Sequence, residues 1–214
     1  AKALRVIEKL EPVTGLTVKM TKTHVHFPDV TTLENSRHLF PAEINLHPHL
    51  NVDFLQVPVG DDAFVAKQLD AKLADLTAVV DKVAVFGSEH PHEAFTLIQH
   101  CVSECKIKHL LRALPPRQSS AFVLKFDTLM RSAFEKCLQS PLSDRWWWLA
   151  RLPPKHGGMR IHTGTVTHGA DYTVSLIRAS DHVRRIVGDR WDVHTRLTSD
   201  AKPWLDHALQ KPVD

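Results

Sequence analysis

The sequence has few cysteines and no long hydrophobic run. Its three cysteines are an odd number, so they do not form a disulfide framework, and Cys101 and Cys105 fall within one helical pattern. This usage predicts an intracellular, reducing compartment, in either the nucleus or the cytoplasm. No apolar run of about 18 residues occurs, so no membrane span is expected, and no signal-peptide pattern is present. The residues after Ala1 already have a helical pattern, so we expect a fragment or processed product of a longer polypeptide.

Signatures of common catalytic sites are also absent. No G-x-S-x-G nucleophile elbow, phosphate-binding loop or H-E-x-x-H zinc motif occurs. The run Gly60-Asp61-Asp62 resembles the paired aspartates that bind magnesium ions in polymerases. An amphipathic pattern follows it directly, however, which predicts that Asp61 and Asp62 cap a helix and lie in its first turn.

The bulk composition is that of a folded and mildly basic protein. The chain of 214 residues is 43% hydrophobic, which is enough for a substantial core. Its net charge is only +3, and its 15 histidines add positive charge below about pH 6.5. Such a surface permits nucleic-acid binding without requiring it.

The apolar periodicity changes once along the chain. In residues 1–60, a short helix over residues 2–11 precedes the strand-like segments LTVKM, THVHFP and VDFLQVPVG, and residues 29–50 are expected to be irregular. From Asp61 the period is about 3.6, which predicts a series of helices. We therefore expect an α+β, mostly helical fold: a β-rich segment over 1–60, a helical bundle over 61–195, and a C-terminal tail over 196–214 with a short helix around Trp204.

Each long helix has a predicted inward face. These faces hold Val65, Leu69, Leu73, Leu76, Val80 and Val83; then Ala94, Leu97, Cys101 and Cys105; then Phe122, Phe126, Leu129, Ala133 and Cys137. Later helices are expected from Ser143, as N-cap, and over about 166–187.

Three adjacent tryptophans, Trp146 to Trp148, lie in the helix after Ser143. Consecutive helical residues are about 100° apart, so three cannot all face one core. Core packing of one or two rings is expected, and a base-stacking platform is the alternative.

Histidines and cysteines offer candidate metal ligands. Histidines occur in three pairs: His24/His26, His47/His49 and His90/His92. An H-x-H pair on a strand points both rings to one face, which suits zinc or copper. Cys101, Cys105 and His109, at i, i+4 and i+8, share one helical face and could supply three metal ligands. Loop histidines and buried structural thiols are the alternatives.

Basic residues gather in four regions of the sequence, the last of which holds Arg178, Arg184 and Arg185. The candidates for phosphate contacts are Lys19, Lys22, Lys106, Lys108, Arg112, Lys155 and Arg160. Such side chains supply the salt-dependent affinity of nucleic-acid binding. The alternative is that they serve helix C-termini and solvated faces.

Several motifs in this order resemble the reverse transcriptases of non-LTR retrotransposons. TGLTVKMTKTHVHFP is similar to the segment after the catalytic aspartates, with Lys22 at the motif lysine and Lys19 in place of an asparagine. FLQVPVG resembles a family turn, with Gln56 in place of its first glycine. LLRALPP, then Phe126-Asp127, then SDRWWWLARLPPKHGGMRI resemble the thumb pattern. The last stretch matches at Asp144, Trp147, Ala150, Leu152, Pro153, Gly157 and Gly158.

The resemblance covers about residues 1–180 and implies the end of a palm followed by a thumb. In such enzymes the residue matching Lys22 lies near the incoming nucleotide, the turn at Pro58 and Gly60 lies near the primer end, and the thumb grips the template–primer backbone. The aspartates that bind Mg²⁺ would precede Ala1, so no cofactor is expected here unless a catalytic palm precedes this chain.

Three functions follow as hypotheses. The first is a non-catalytic fragment that binds nucleic acid, either RNA or an RNA/DNA duplex. The second is a repurposed structural subunit of a larger protein assembly. The third is a histidine-rich metal-binding protein.

Overall fold

The fold is α+β and mostly helical, as predicted. The computed structural model describes residues 6, 9–10, 12–15, 17–188 and 192–201. The chain divides into two compact units, Ala1–Phe64 and Val65–Asp214. The helix predicted around Trp204 lies outside the described residues.

Unit 1 contains two small sheets of two strands each. Strand β1 (His24–His26) pairs in parallel with β2 (Asn45–His47), and β3 (Val52–Phe54) pairs antiparallel with β4 (Val57–Val59). The two residues joining β3 to β4, Leu55 and Gln56, both have positive φ, at 52° and 65°. A two-residue hairpin loop with positive φ at both positions is a type I′ turn, which follows the right-handed twist of the strands.

Three predictions for unit 1 were wrong. The segment VDFLQVPVG is not one strand, because the turn at Leu55 and Gln56 divides it into β3 and β4. The segment LTVKM is not a strand, since residues 17–19 have no regular structure and Met20–Lys22 form a 3₁₀ turn. Residues 29–50 are not irregular: they contain helix α1 (Val30–Ser36), the 3₁₀ turn Arg37–Leu39 and β2. Helix α1 is initiated by Asp29, whose Oδ1 accepts a hydrogen bond from Thr32 N at 2.7 Å.

The N-terminal helix is described only in part. Residues 6 and 9–10 of the predicted 2–11 segment are helical. Residues 12–14, beyond the expected end of this helix, are helical as well.

Unit 2 is built from helices, as the 3.6-residue period predicts. Their bounds are α2 (Asp62–Gly87, whose first residues belong to unit 1), α3 (Pro91–Leu97), α4 (Lys108–Ala113), α5 (Pro116–Leu138), α6 (Asp144–Arg151), α7 (Gly164–Val187) and α8 (Val193–Arg196). A π-helical turn (Ile98–Val102) and a 3₁₀ turn (Glu104–Lys106) lie between α3 and α4. Helix α7 packs against α4 and α5, and α3 packs against α5.

The core of unit 2 is centred on α5. Its buried residues include Phe122, Val123, Phe126, Met130, Ala133, Phe134 and Cys137. The Phe134 ring lies 6.0 Å from Phe95 and 6.4 Å from Trp147, measured between centroids. Within the described residues, no helix is long and apolar enough to cross a membrane.

The predicted inward faces are confirmed for α5 and in part for α2. On α5, Phe122, Phe126, Ala133 and Cys137 are buried and Leu129 is half-buried. On α2, Val65, Leu69 and Val80 are buried, while Leu73, Leu76 and Val83 are half-buried.

Candidate nucleic-acid interface

The loop after α6 contains Pro153, Pro154, Gly157 and Gly158, and we call it the Pro-Gly loop. It folds back tightly on α6. The backbone N–H groups of Met159 and Ile161 both donate to the carbonyl oxygen of Ala150, at 3.1 and 3.2 Å. Gly157 has φ +79°, and a Cβ on Gly158 would lie 2.0 Å from the carbonyl oxygen of Leu152. Both glycines of the motif are therefore required by the backbone: one for its left-handed conformation and one for a close approach.

Asp127, the second residue of the Phe-Asp motif, holds the start of α7. Its Oδ1 accepts from Gly164 N at 2.8 Å, and its Oδ2 accepts from Thr165 N at 2.9 Å and from Thr165 Oγ1 at 2.5 Å. Burial raises the pKa of the Asp127 carboxyl, while the hydrogen bonds from Thr165 and Gly164 and the charge of Arg151 act in the opposite direction. The aspartate is thus a helix cap supplied by another helix.

The three tryptophans separate as the helical geometry predicts. Ser143 caps α6 by accepting a hydrogen bond from Trp146 N at 3.4 Å. Trp147 is only 8% exposed, whereas Trp146 is 61% exposed and Trp148 is 49% exposed. One ring is therefore part of the core, and two flat aromatic surfaces face solvent.

Four of the candidate cations of unit 2 are exposed. They are Lys106, Arg112, Lys155 and Arg160. Lys106 ends the 3₁₀ turn before α4, Arg112 lies in the last turn of α4, and Lys155 lies in the Pro-Gly loop. Within the described part of the chain, none of the four forms a salt bridge. Their charges are therefore available to a polyanion.

Lys108 is different, because its charge is already neutralised. Its Nζ lies 2.6 Å from Glu104 Oε1 and 2.6 Å from Asp171 Oδ2. The two carboxylates raise its pKa, although desolvation is the largest single effect and acts in the opposite direction. Glu104 is only 5% exposed and also accepts a hydrogen bond from Thr167 Oγ1 at 2.5 Å. Lys108 thus ties α4 to α7, and the sequence did not reveal this role.

Lys19 and Lys22 lie in unit 1, and both are exposed. Lys19 precedes the 3₁₀ turn and Lys22 is its last residue, and Lys22 N donates a hydrogen bond to Lys19 O at 2.9 Å. The turn brings the two residues together locally.

Asp61 caps α2 and Asp62 lies in its first turn, as predicted. Asp61 Oδ1 accepts from Phe64 N at 2.8 Å, and Asp61 Oδ2 accepts from Asn51 Nδ2 at 2.7 Å. These hydrogen bonds lower the pKa of Asp61. A Cβ on Gly60 would lie 2.2 Å from Asn51 Oδ1, so the glycine makes room for the asparagine.

The predicted metal face of Cys101, Cys105 and His109 does not form. The helix breaks at Ser103, where ψ is −154°, so the three residues lie on separate turns. Both cysteines are exposed rather than inward, and the Sγ of Cys105 donates to the carbonyl oxygen of His100 at 3.4 Å. Among the described residues, no group of three or more His, Cys, Asp or Glu side chains is arranged to hold a metal ion.

Two features of unit 2 could not be predicted from spacing. Ser119 Oγ lies 2.9 Å from His168 Nε2, but the residues are 0% and 1% exposed, so this pair is a core contact without substrate access. Arg151 lines a cleft of about 230 Å³ beside Trp147 and Thr165. Burial lowers the pKa of Arg151, and the nearby charge of Asp127 opposes this.

Comparison with known proteins does not assign the chain to a family. No family model, no curated protein and no solved structure matches it.

Proposed function

We propose that this chain is a non-catalytic nucleic-acid-binding module related to the end of the palm and the thumb of a non-LTR retrotransposon-type reverse transcriptase. It contacts the backbone of RNA or of an RNA/DNA duplex and does not read sequence. Polymerisation requires Mg²⁺ bound by an upstream palm, so the chain does not catalyse it alone.

The observation that carries this proposal is the state of the cations in unit 2. Lys106, Arg112, Lys155 and Arg160 are exposed and form no salt bridge within the described residues. Unpaired cations can replace counterions at phosphates, which is the main source of sequence-independent affinity. The exposed rings of Trp146 and Trp148 offer surfaces on which unpaired bases can stack.

The test is a titration of a fluorescent RNA/DNA primer–template duplex at several salt concentrations. Affinity should fall steeply between about 50 and 200 mM salt, because each phosphate contact contributes close to −0.9 to the logarithmic slope. The double variant Lys106→Gln/Arg112→Gln should reduce the magnitude of that slope by nearly two.

The matched control removes two cations that are already paired. Lys125 Nζ lies 2.7 Å from Asp70 Oδ1, and Lys136 Nζ lies 3.0 Å from Asp81 Oδ1. Lys125→Gln/Lys136→Gln changes the net charge by the same amount and should leave the slope unchanged. Absence of binding at low salt, or equal slope changes in both double variants, would contradict the proposal.

A subunit of a larger protein assembly is the second candidate, and exposed apolar side chains on α7 favour it. Val166 is 57% exposed, Val174 is 49% exposed and Ile177 is 51% exposed. Their spacing puts them on one side of the helix. Purification of the natural chain with one partner at fixed stoichiometry, in salt that abolishes duplex binding, would favour this function over the first.

A further inference from the structure

Helix α7 carries an apolar stripe on the side that faces away from the core of unit 2. The α7 stripe consists of four exposed residues, Val166, Ala170, Val174 and Ile177. At 100° per residue, these four lie within a sector of about 80°. The buried residues of the helix, among them His168 and Tyr172, lie on the opposite side. A helix that is apolar on two sides is expected to pack against a neighbour on each of them.

The charged residues at the end of α7 restrict what can cover the stripe. Arg184 and Arg185 are exposed and lie in the last turn of α7, where cations interact favourably with the negative end of their own helix dipole. They therefore do not call for an acidic partner. Asp181 is also exposed, and it forms no salt bridge within the described residues. A carboxylate so close to the end of its own helix is better placed beside the start of another helix.

The α7 stripe has nearly the same spacing in both directions along the helix. Its residues are separated by four, four and three positions. Reversing the helix therefore brings Val166 level with Ile177 and Ala170 level with Val174, to within about half a residue, or roughly 0.8 Å along the axis. Two copies of α7 that meet antiparallel about a two-fold axis match their apolar residues in pairs. The small side chain of Ala170 lies near that axis and lets the two helices approach closely.

The antiparallel arrangement also suits the charges. Asp181 follows Ile177 by four residues, so it comes level with the start of the partner's α7, where a carboxylate is favoured. The two copies of Arg178 lie roughly 19 Å apart along the axis, at 1.5 Å per residue. This separation exceeds the screening length of about 8 Å at physiological salt. A parallel pair would instead place the two Arg178 side chains at the same level and align the helix dipoles.

We propose that two copies of this chain associate through the α7 stripe, with their α7 helices antiparallel about a two-fold axis. The proposal rests on the second candidate function, a subunit of a larger assembly, and names a second copy of the chain as the partner. It does not depend on nucleic-acid binding, because the duplex titration above and the association of two copies are measured separately.

The experiment is sedimentation velocity of the full chain at several concentrations, in high salt and without nucleic acid. A reversible equilibrium between monomer and dimer is expected. Val174→Glu should raise the dimer dissociation constant at least about tenfold, because the two-fold axis introduces each substitution twice into the contact. The matched control is Val79→Glu, the same change on α2, where Val79 is 45% exposed against 49% for Val174. This control should dimerise as the wild type does.

A second measurement locates the contact in the wild-type chain, so it holds even if Val174→Glu fails to fold. In a mixture of ¹³C-labelled and unlabelled chains, isotope-filtered NOE spectra should connect the methyl group of Ala170 to those of the partner's Val174. A monomer at every concentration, equal dissociation in both variants, or contacts only between identical residues would overturn the proposal. A monomeric chain that copurifies with a different protein would overturn it too, while leaving the assembly function standing.

Discussion

Removing the Asp127 carboxylate should destabilise unit 2, because this group caps the start of α7. The carboxylate satisfies two backbone N–H groups at the start of α7, those of Gly164 and Thr165, and the Thr165 hydroxyl. Loss of an N-cap costs about 0.5–2 kcal/mol. Each buried donor left unsatisfied costs roughly 1–3 kcal/mol. We therefore expect Asp127→Ala to lower the free energy of unfolding by about 3 kcal/mol.

This loss should be measured by thermal and urea unfolding at neutral pH. For a unit of this size, about 3 kcal/mol corresponds to a decrease in Tm of roughly 6–12 °C. The control is Asp70→Ala, because Asp70 forms an exposed pair with Lys125, with side chains 58% and 54% exposed. Such a pair contributes at most about 1 kcal/mol.

A double-mutant cycle with Thr165→Val separates capping from a general effect of the substitution. Since Thr165 Oγ1 donates directly to Asp127, the two substitutions should be non-additive by about 1 kcal/mol. Additive effects, or a loss below about 1 kcal/mol for Asp127→Ala alone, would refute the capping argument.

Three further predictions concern the tryptophans of α6, the turn between β3 and β4, and His47. Trp147→Ala should cost about 3–5 kcal/mol in urea unfolding because the ring is buried, whereas Trp146→Ala should change stability by less than about 0.5 kcal/mol. Leu55→Gly should stabilise unit 1 by about 1 kcal/mol in the same assay, because glycine adopts the φ of 52° without strain and the Leu55 side chain is 80% exposed; a destabilised variant would contradict this. Burial, and then the charges of the neighbouring histidines, lower the pKa of His47, so the unfolded chain takes up the proton first. Stability should be constant above about pH 6.5 and fall as the pH drops through the folded pKa of His47. Amide exchange of β1 and β2 should report this loss, and His47→Gln should reduce it.

The sequence predicted the long elements well because they carry many repeats of one period. Helix α5 offers about six turns, so its buried face stands out from Phe122 to Cys137. The three-residue strands β1 to β4 contain barely one alternation, and helix α1 has only two turns, so none carries a clear periodic signal. The wrong strand over LTVKM and the missed helix α1 both reflect this.

The candidate site was less predictable because its contacts join distant parts of the chain. The sequence suggests that Lys108 is a free cation. In the fold, Asp171 of α7 forms a salt bridge with it. Cys101 and Cys105 would lie on one face only in a continuous helix, and the helix ends at Ser103. Spacing along one helix reports neighbours three or four residues away, and contacts that span 37 or 63 residues follow only from the fold.

The backbone of the hairpin turn favours glycine at the position of Gln56. At Gln56 the chain departs from a family glycine, and the backbone there has a positive φ, the conformation that glycine adopts most readily. Gly157 and Gly158 match the family pattern, and each is required by the local backbone. The motif positions thus coincide with structural constraints of this chain.

Those same constraints determine which experiments can test function. Asp127, Trp147 and Gly158 carry the resemblance, but each one supports packing or a helix end. Substituting them would destabilise the fold, so a loss of nucleic-acid binding in such a variant would not show that the residue contacts nucleic acid. The exposed cations differ, because Lys106 and Arg112 lie on the surface and form no salt bridge within the described residues. A binding defect in their glutamine variants, with unfolding unchanged, can arise only from the surface itself. Function must therefore be tested at residues outside the motifs that suggested it.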